Sequence, residues 1–303
     1  MEKNKALLVV IIIVIIIAYD WLSSDEIQSL SITGSTTVLP LAQLAAEKYM
    51  DMHSTVNILV GTSGSSVGVK AAGEGTVDIG MASRDMRDSE KRDYPDLKTI
   101  VIARDGIALI VHPSNPVTSL TVEDIKKIYE GSYTDWSELG GDNTEIVVIG
   151  RDSASGTREF FWGFVMKKGD FVKSMLEKNS NGAVRQTVAQ TPGAIGYVGL
   201  GYIDETVKAV KIEVNGKEVE PTGATVQSGL YPLSRSLYFL VKGEPQGLIK
   251  DFIDFVLSAE GQEIVKEEGF VPIKELNCNF WFFIFEKFNN VTYSCMQRLV
   301  TCL

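Results

Sequence analysis

The sequence predicts an α/β protein built on an open, largely parallel sheet. From about residue 27 to residue 103, short β-branched runs alternate with helix-like runs, the rhythm of strand–helix–strand units. One local grammar occurs three times: a strand-like run, a turn of Gly, Ser and Thr, then a helix start. The chain has 303 residues, 45% of them hydrophobic, enough to build one large domain or two medium ones.

The first instance joins a strand at 30–33 to a helix at 41–50 through Gly34-Ser35-Thr36-Thr37-Val38-Leu39-Pro40. The second joins a strand at 56–60 to a helix beginning at 67 through Gly61-Thr62-Ser63-Gly64-Ser65-Ser66. The third follows the buried-strand pattern of 145–150 with Arg151-Asp152-Ser153-Ala154-Ser155-Gly156-Thr157 and then the helical pattern of 158–166. In open α/β sheets such turns gather at the carboxyl ends of the strands, where ligands bind. A capped helix start leaves backbone N–H groups free, and the helix dipole favours an anion there. Arg151 adds a guanidinium whose fork suits phosphate or carboxylate. Taken alone, the third turn also reads as an ordinary N-cap beside a surface Arg. Three such turns, however, can converge on one small oxyanion.

A further strand at 77–82 ends in Ser83-Arg84-Asp85, again polar groups at a carboxyl end. A loop ion pair for Arg84 and a ligand role both fit that position. The apolar run 98–112 is longer than an average strand and is interrupted by Arg104-Asp105-Gly106. It is expected to form a strand, a hinge and a second strand in a new domain. A helix is expected over 120–129, with Thr121 as N-cap and Asp124 at its third position. Residues 194–199 form a strand, and 207–219 a hairpin turning on Asn215-Gly216. A strand at 236–241 leads back to the first domain. Amphipathic helices at 247–257 and 259–268 follow, the second stopped by Gly269.

Residues 1–26 stand apart from the fold. Lys3 and Lys5 precede an Ile-rich apolar run, the pattern of a signal peptide or a short N-terminal membrane anchor, and the positive-inside bias puts the body outside the cytoplasm. The tail 277–303 is dense in aromatics and holds all three cysteines, Cys278, Cys295 and Cys302. It reads either as a membrane or partner contact or as an appended sequence. A formal net charge of −10 argues against nucleic acid as a partner. It also requires any bound anion to be held by local dipoles and Arg. No metal-ligand spacing is present, and no metal or cofactor is expected. The two histidines, His53 and His112, fall at element ends and read as structural or solvated. The turn at 61–70 fails the P-loop and nucleophile-elbow spacings, and no His sits near a candidate Ser, so an enzyme is not expected.

The runs at 34–40, 61–68, 77–84, 151–157, 194–197 and 231–238 together resemble the phosphate-binding proteins of phosphate ABC importers, in the right order from about Leu30 to Leu276. The resemblance implies a two-lobe type II periplasmic-binding-protein fold in which two crossover strands form a hinge, near 102–105 and 228–235. Lobe I would comprise 27–103 plus 235–276 and lobe II 104–234. It implies a non-catalytic binder of inorganic phosphate that serves a membrane permease and ATPase and acts as a monomer. By position, Thr36, Thr37, Ser65, Ser83, Arg84, Arg151, Ser155, Gly156 and Thr157 would form the phosphate site. One position departs from the family pattern. Many relatives follow the serine of the third strand with an Asp that takes phosphate's proton and so rejects sulfate; here Arg84 follows Ser83. Asp85 or Asp152 could serve instead, or Arg84 could bind the anion directly. A binder of sulfate, molybdate or tungstate in the same fold is the alternative.

Overall fold

The alternating runs of the first third of the chain become alternating elements in the computed structural model, which describes residues 27–273. Strand β1 (Gln28–Gly34) lies between β2 (Val56–Val60) and β3 (Ile79–Ala82), parallel to both. Helices α1 (Leu39–Met52) and α2 (Ser65–Glu74) make the crossovers. Pro40 sits in the first turn of α1, where a missing N–H costs nothing. The buried face of α1 is Leu41, Ala42, Ala45, Ala46 and Tyr49, a helical stripe of mostly small residues. Gly34 has φ +142°, and a Cβ there would stand 2.8 Å from the Met81 nitrogen. Only glycine lets the first turn pass this close to β3.

After the short α3 (Asp88–Asp93) comes β4 (Leu97–Val111), a single 15-residue strand. The expected break at Arg104-Asp105-Gly106 is not there. Instead, β4 pairs along its first part with β11 (Ser234–Lys242), and this ladder continues through Asp105 and Gly106. Arg104 is held by Val271 in an isolated bridge. The irregularity falls slightly earlier: the register shifts between Leu237, opposite Ala103, and Tyr238, opposite Val101. Such a bulge bends a strand without ending it. The interruption in the apolar pattern therefore marks buried polar chemistry, described below, and not a chain break.

Beyond Gly106, β4 pairs with β8 (Ala194–Gly199) and β9 (Lys208–Val214). The second lobe also contains β5 (Ser119–Thr121), α4 (Val122–Glu130), β6 (Val147–Arg151), α5 (Gly156–Phe164), β7 (Leu176–Lys178), α6 (Asn181–Gln190), β10 (Lys217–Val219) and α7 (Gly223–Gln227). After β11, α8 (Gly247–Leu257) and α9 (Ala259–Glu267) pack on the first lobe. The main path of strands runs β2-β1-β3-β11-β4-β8-β6-β7. One apolar cluster holds Leu30, Ile58, Ile102, Phe239 and Phe252. Another holds Ile107, Trp136, Phe161, Tyr197 and Leu233. Among the described residues the chain passes between these cores along β4 and β11, and again at Phe270–Val271, where Val271 joins the second cluster and bridges Arg104 of β4.

Local expectations are met at several points. Thr121 Oγ1 accepts from the Asp124 N–H at 3.0 Å, and Asp124 Oδ2 accepts from the Thr121 N–H at 3.0 Å, the reciprocal cap of α4. Asn215 and Gly216 have φ of 50° and 73°, as a type I′ turn requires. His53 stacks on Tyr49 with ring centroids 4.1 Å apart, and His112 Nδ1 lies 2.7 Å from Ser114 Oγ. No helix among the described residues is long and apolar enough to cross a membrane. The expectations for 1–26 and for 277–303, its cysteines included, lie outside the described residues.

Candidate functional site

The three hydroxyl-rich turns meet in the cleft between the lobes. Thr36 and Thr37 follow β1, Ser65 opens α2, and Ser155 to Thr157 open α5; all of these side chains are buried. Thr37 Oγ1 lies 3.1 Å from Thr157 Oγ1, joining the first turn to the third across the lobes. Ser65 Oγ lies 3.3 Å from Ser83 Oγ and accepts from the Ser83 N–H at 3.1 Å, joining the second turn to the end of β3. Gly156 touches that pair: a Cβ there would stand 2.8 Å from Ser65 Cβ and 3.0 Å from Ser83 Oγ. The Ser66 N–H donates to the Ala154 carbonyl at 3.1 Å. Ser155 caps α5 by accepting from the Arg158 N–H at 3.2 Å. The N–H groups of Gly156 and Thr157, at a helix start, have no acceptor within the helix.

Arg151 is the last residue of β6, and only 1% of its surface is exposed. Its Nε donates to the Lys178 carbonyl at 3.2 Å. Its Nη2 donates to the Asn179 carbonyl at 3.2 Å and to Thr36 Oγ1 at 3.1 Å. Its Nη1 is buried and has no hydrogen-bond partner. Burial pulls the Arg151 guanidinium below its ordinary pKa, and Arg235 adds repulsion. A buried cation with an open donor, beside hydroxyls and a helix start, is a site built for an anion.

Four residues that the sequence reading gave no site role complete the cluster. Arg235 and Asp105 are direct partners in the β4–β11 ladder, and their side chains pair at 2.8 Å with both buried. Burial pushes the Asp105 carboxyl up, with Arg235 opposing it. Arg235 also donates to the Ser83 carbonyl at 3.0 Å and to Thr37 Oγ1 at 3.3 Å. Asn181, the first residue of α6, donates to Thr36 Oγ1 at 3.2 Å and Thr37 Oγ1 at 3.0 Å. Tyr202 donates its hydroxyl to the Thr36 carbonyl. The interruption in the β4 pattern signalled Asp105. Asn181 had a fainter signal: Ser180 before a helical pattern is one more cap at a strand end.

Arg84 takes the ion-pair option. It bonds Glu90 through both terminal nitrogens, at 2.8 and 2.7 Å. Its Nε stands 2.6 Å from Glu159 Oε2, near enough to pair but off line for a hydrogen bond. Arg87 grips the same Glu159 with two bonds of 2.6 Å. Glu159 belongs to α5 and the two arginines to the other lobe, so this cluster closes the cleft at its edge. Asp85 accepts from the Tyr238 hydroxyl and Asp152 from the Ala154 N–H at 3.1 Å. A cavity of about 860 Å³ opens beside α5, lined by Arg158, Trp162 and Phe171 among others, and shares Ser155 and Glu159 with the cleft edge. It is not where the hydroxyls converge.

Residues 22–260 match the PBP superfamily domain. The chain is 34% identical over 250 residues to the phosphate-binding protein PstS of Bacillus subtilis, covering 82% of each. It is 35% identical over 268 residues to PstS of Pseudomonas aeruginosa, covering 81% of this chain and 83% of that one. A crystal structure from Clostridium perfringens, described as a phosphate ABC transporter substrate-binding protein with bound phosphate, is 41% identical with a TM-score of 0.77, covering 82% of this chain and all of that one.

Proposed function

Because the chain belongs to the PBP superfamily and, within it, to the PstS phosphate-binding proteins, we propose that it captures inorganic phosphate and delivers it to a phosphate ABC transporter. The observation that carries this reading is the buried Arg151 Nη1, a charged donor without a partner among hydroxyls drawn from both lobes. Thr36, Thr37, Ser65, Ser83, Ser155, Gly156 and Thr157 would surround the ion, with Arg151 supplying the fixed charge. Arg84 we assign to bracing the cleft, since Glu90 and Glu159 engage its nitrogens.

We take lobe I as 27–103 plus 235–276 and lobe II as 104–234, a division that the two apolar clusters support except at Val271, which packs with the second. The body works outside the cytoplasm as a monomer, meeting the permease of the transporter, whose ATPase drives uptake. It performs no chemistry on its ligand. The apolar N-terminal run with its lysines supports this placement.

Calorimetric titration of phosphate-stripped protein tests the reading. Micromolar or tighter binding of phosphate, with sulfate weaker, is expected. Tighter binding of sulfate, molybdate or tungstate would overturn the assignment of ligand. No binding of any of these would overturn the site.

A further inference from the structure

Among the described residues no carboxylate bonds Thr36, Thr37 or Arg151, and the arrangement of donors there constrains the ligand beyond its shape. Asn181 is fully buried. Its Oδ1 accepts from the Gly199 N–H at 3.3 Å, which fixes the amide with Nδ2 toward the threonines. A primary amide has two N–H groups, and both are used: one on Thr36 Oγ1 and one on Thr37 Oγ1.

Each threonine oxygen also receives a second donor. Thr36 Oγ1 takes Arg151 Nη2, and Thr37 Oγ1 takes Arg235 Nη2. A hydroxyl oxygen has two lone pairs and one proton. Amide and guanidinium nitrogens donate and cannot accept, so both lone pairs of each threonine are filled. Each hydroxyl proton must then point elsewhere. Thr37 has Thr157 Oγ1 at 3.1 Å and donates to it, which frees the Thr157 proton for donation in turn. Among the described residues Thr36 Oγ1 has no acceptor, so its proton is offered to the ligand. Toward an anion, this wall therefore presents only donors: Thr36, Thr157, Arg151 Nη1 and the start of α5.

We propose that Asn181 is a positioning residue that locks Thr36 and Thr37 as donors and so makes the cleft select the dianion, HPO4 with two negative charges, over the singly charged H2PO4 form. This deepens the phosphate reading and rests on it. A ligand oxygen facing the threonine wall must be bare, because a proton on it would meet another proton and find no lone pair. The dianion has three bare oxygens and the monoanion only two. The one remaining proton falls to the opposite wall, where Ser65 and Ser83 fill two of their four lone pairs, one in the contact between their hydroxyls and one with the Ser83 N–H, and keep two that can accept it.

Sulfate binding reports any pH response of the protein groups around the cleft, including Asp105, whose carboxyl burial pushes up, and so separates it from that of the ligand. Arg151 from β6 and Arg235 from β11 stay charged. Asp105 from β4 is tied to Arg235. Burial pushes Tyr197 and Tyr202 up to about 12. At the edge, Arg84 and Arg87 are paired with Glu90 and Glu159. Both histidines sit elsewhere, on Tyr49 and Ser114.

The test is the phosphate affinity of the phosphate-stripped protein by calorimetry from roughly pH 5 to 8, across phosphate's second ionisation. The wild type should weaken by about tenfold per pH unit on the acid side, while sulfate binding stays flat. Asn181→Ala frees the threonines to rotate and should flatten the phosphate profile. Asn181→Asp turns the threonine protons toward itself and should move the optimum to the acid side. A wild-type phosphate affinity that is flat across this range refutes dianion selection with no variant needed. If the wild type shows the slope and Asn181→Ala keeps it, the role of Asn181 is refuted and the phosphate reading stands. If the wild type binds no phosphate at any pH, the phosphate reading itself fails.

Discussion

Replacing Arg151 with Met separates the contribution of this residue to binding from its contribution to folding. The guanidinium is buried, donates to two backbone carbonyls and one hydroxyl, and forms no ion pair with any described carboxylate. Asp152 helps it only from a distance. Removing a charge from water costs several kcal/mol per ion even after relaxation, as a general estimate. The three bonds offset a part of that, at roughly 1.5–3 kcal/mol for each hydrogen bond to a charged group. Without an anion, the two sides nearly cancel. Met fills a similar volume and needs no partner. The ligand-free Arg151→Met protein should therefore unfold in urea within about 1 kcal/mol of wild type, or be more stable.

Binding should respond in the opposite sense. The variant loses the unpartnered Nη1 donor and the fixed charge, together about 2–4 kcal/mol, or about 30-fold to 1000-fold in Kd. At ligand near 1000 times the wild-type Kd, phosphate should stabilise the wild type by about 4 kcal/mol and the variant far less. Urea midpoints with and without phosphate, plus calorimetry, read both quantities. A ligand-free variant destabilised by more than about 3 kcal/mol would mean that Arg151 serves the fold. Wild-type affinity in the variant would remove Arg151 from the site.

Three further outcomes are expected. Gly156→Ala places a Cβ 2.8 Å from Ser65 Cβ, so the lobes cannot close fully; phosphate affinity should fall at least about tenfold while unfolding stays cooperative, and an unchanged Kd would contradict the close approach. Glu159→Gln removes the negative charge shared by Arg84 and Arg87 and turns one of its two acceptor oxygens into a donor, so phosphate should leave about fivefold faster in stopped-flow, roughly 1 kcal/mol, with association little changed; equal release rates would show that the edge cluster does not hold the cleft shut. Burial pushes the Glu90 carboxyl up, but its bonds to Arg84 and the Arg87 N–H prevail and hold it below its ordinary value. A depressed carboxylate contributes stability that is present above its unfolded value, about pH 4.3, and is lost as pH falls through the folded one. The stability curves of wild type and Glu90→Gln should thus differ near neutral pH and converge in acid; a constant gap would exclude this linkage.

How much of this was legible in the sequence depends on the range of the interactions. The three turns were legible because each is local. Ser155 must cap α5 and Pro40 must start α1, and both requirements act within a few residues, while the glycine that the first turn needs is visible even though its close neighbour, Met81, is distant in the chain. The same holds for the cap at Thr121 and the turn at Asn215-Gly216. What stayed hidden depends on pairs far apart in the chain. Asp105 looked like a break in an apolar strand because its charge is cancelled by Arg235, 130 residues away across the β4–β11 ladder. Arg84 could be read two ways because its partner Glu159 stands on the opposite lobe.

Asn181 belongs to the same class, with one difference. Its two acceptors, Thr36 and Thr37, were already site candidates, and what it adds is the direction of their protons. Sequence motifs can indicate which oxygens surround a ligand, but whether those oxygens donate or accept is decided by groups behind them. In this cleft those groups are Arg151, Arg235 and Asn181, and all three can only donate toward the threonines. Selectivity by protonation state can thus be built without the carboxylate that follows the β3 serine in many relatives. If so, a chain that carries Arg after that serine need not be less discriminating; it discriminates through the hydroxyls instead, and its affinity should follow the second ionisation of the ligand.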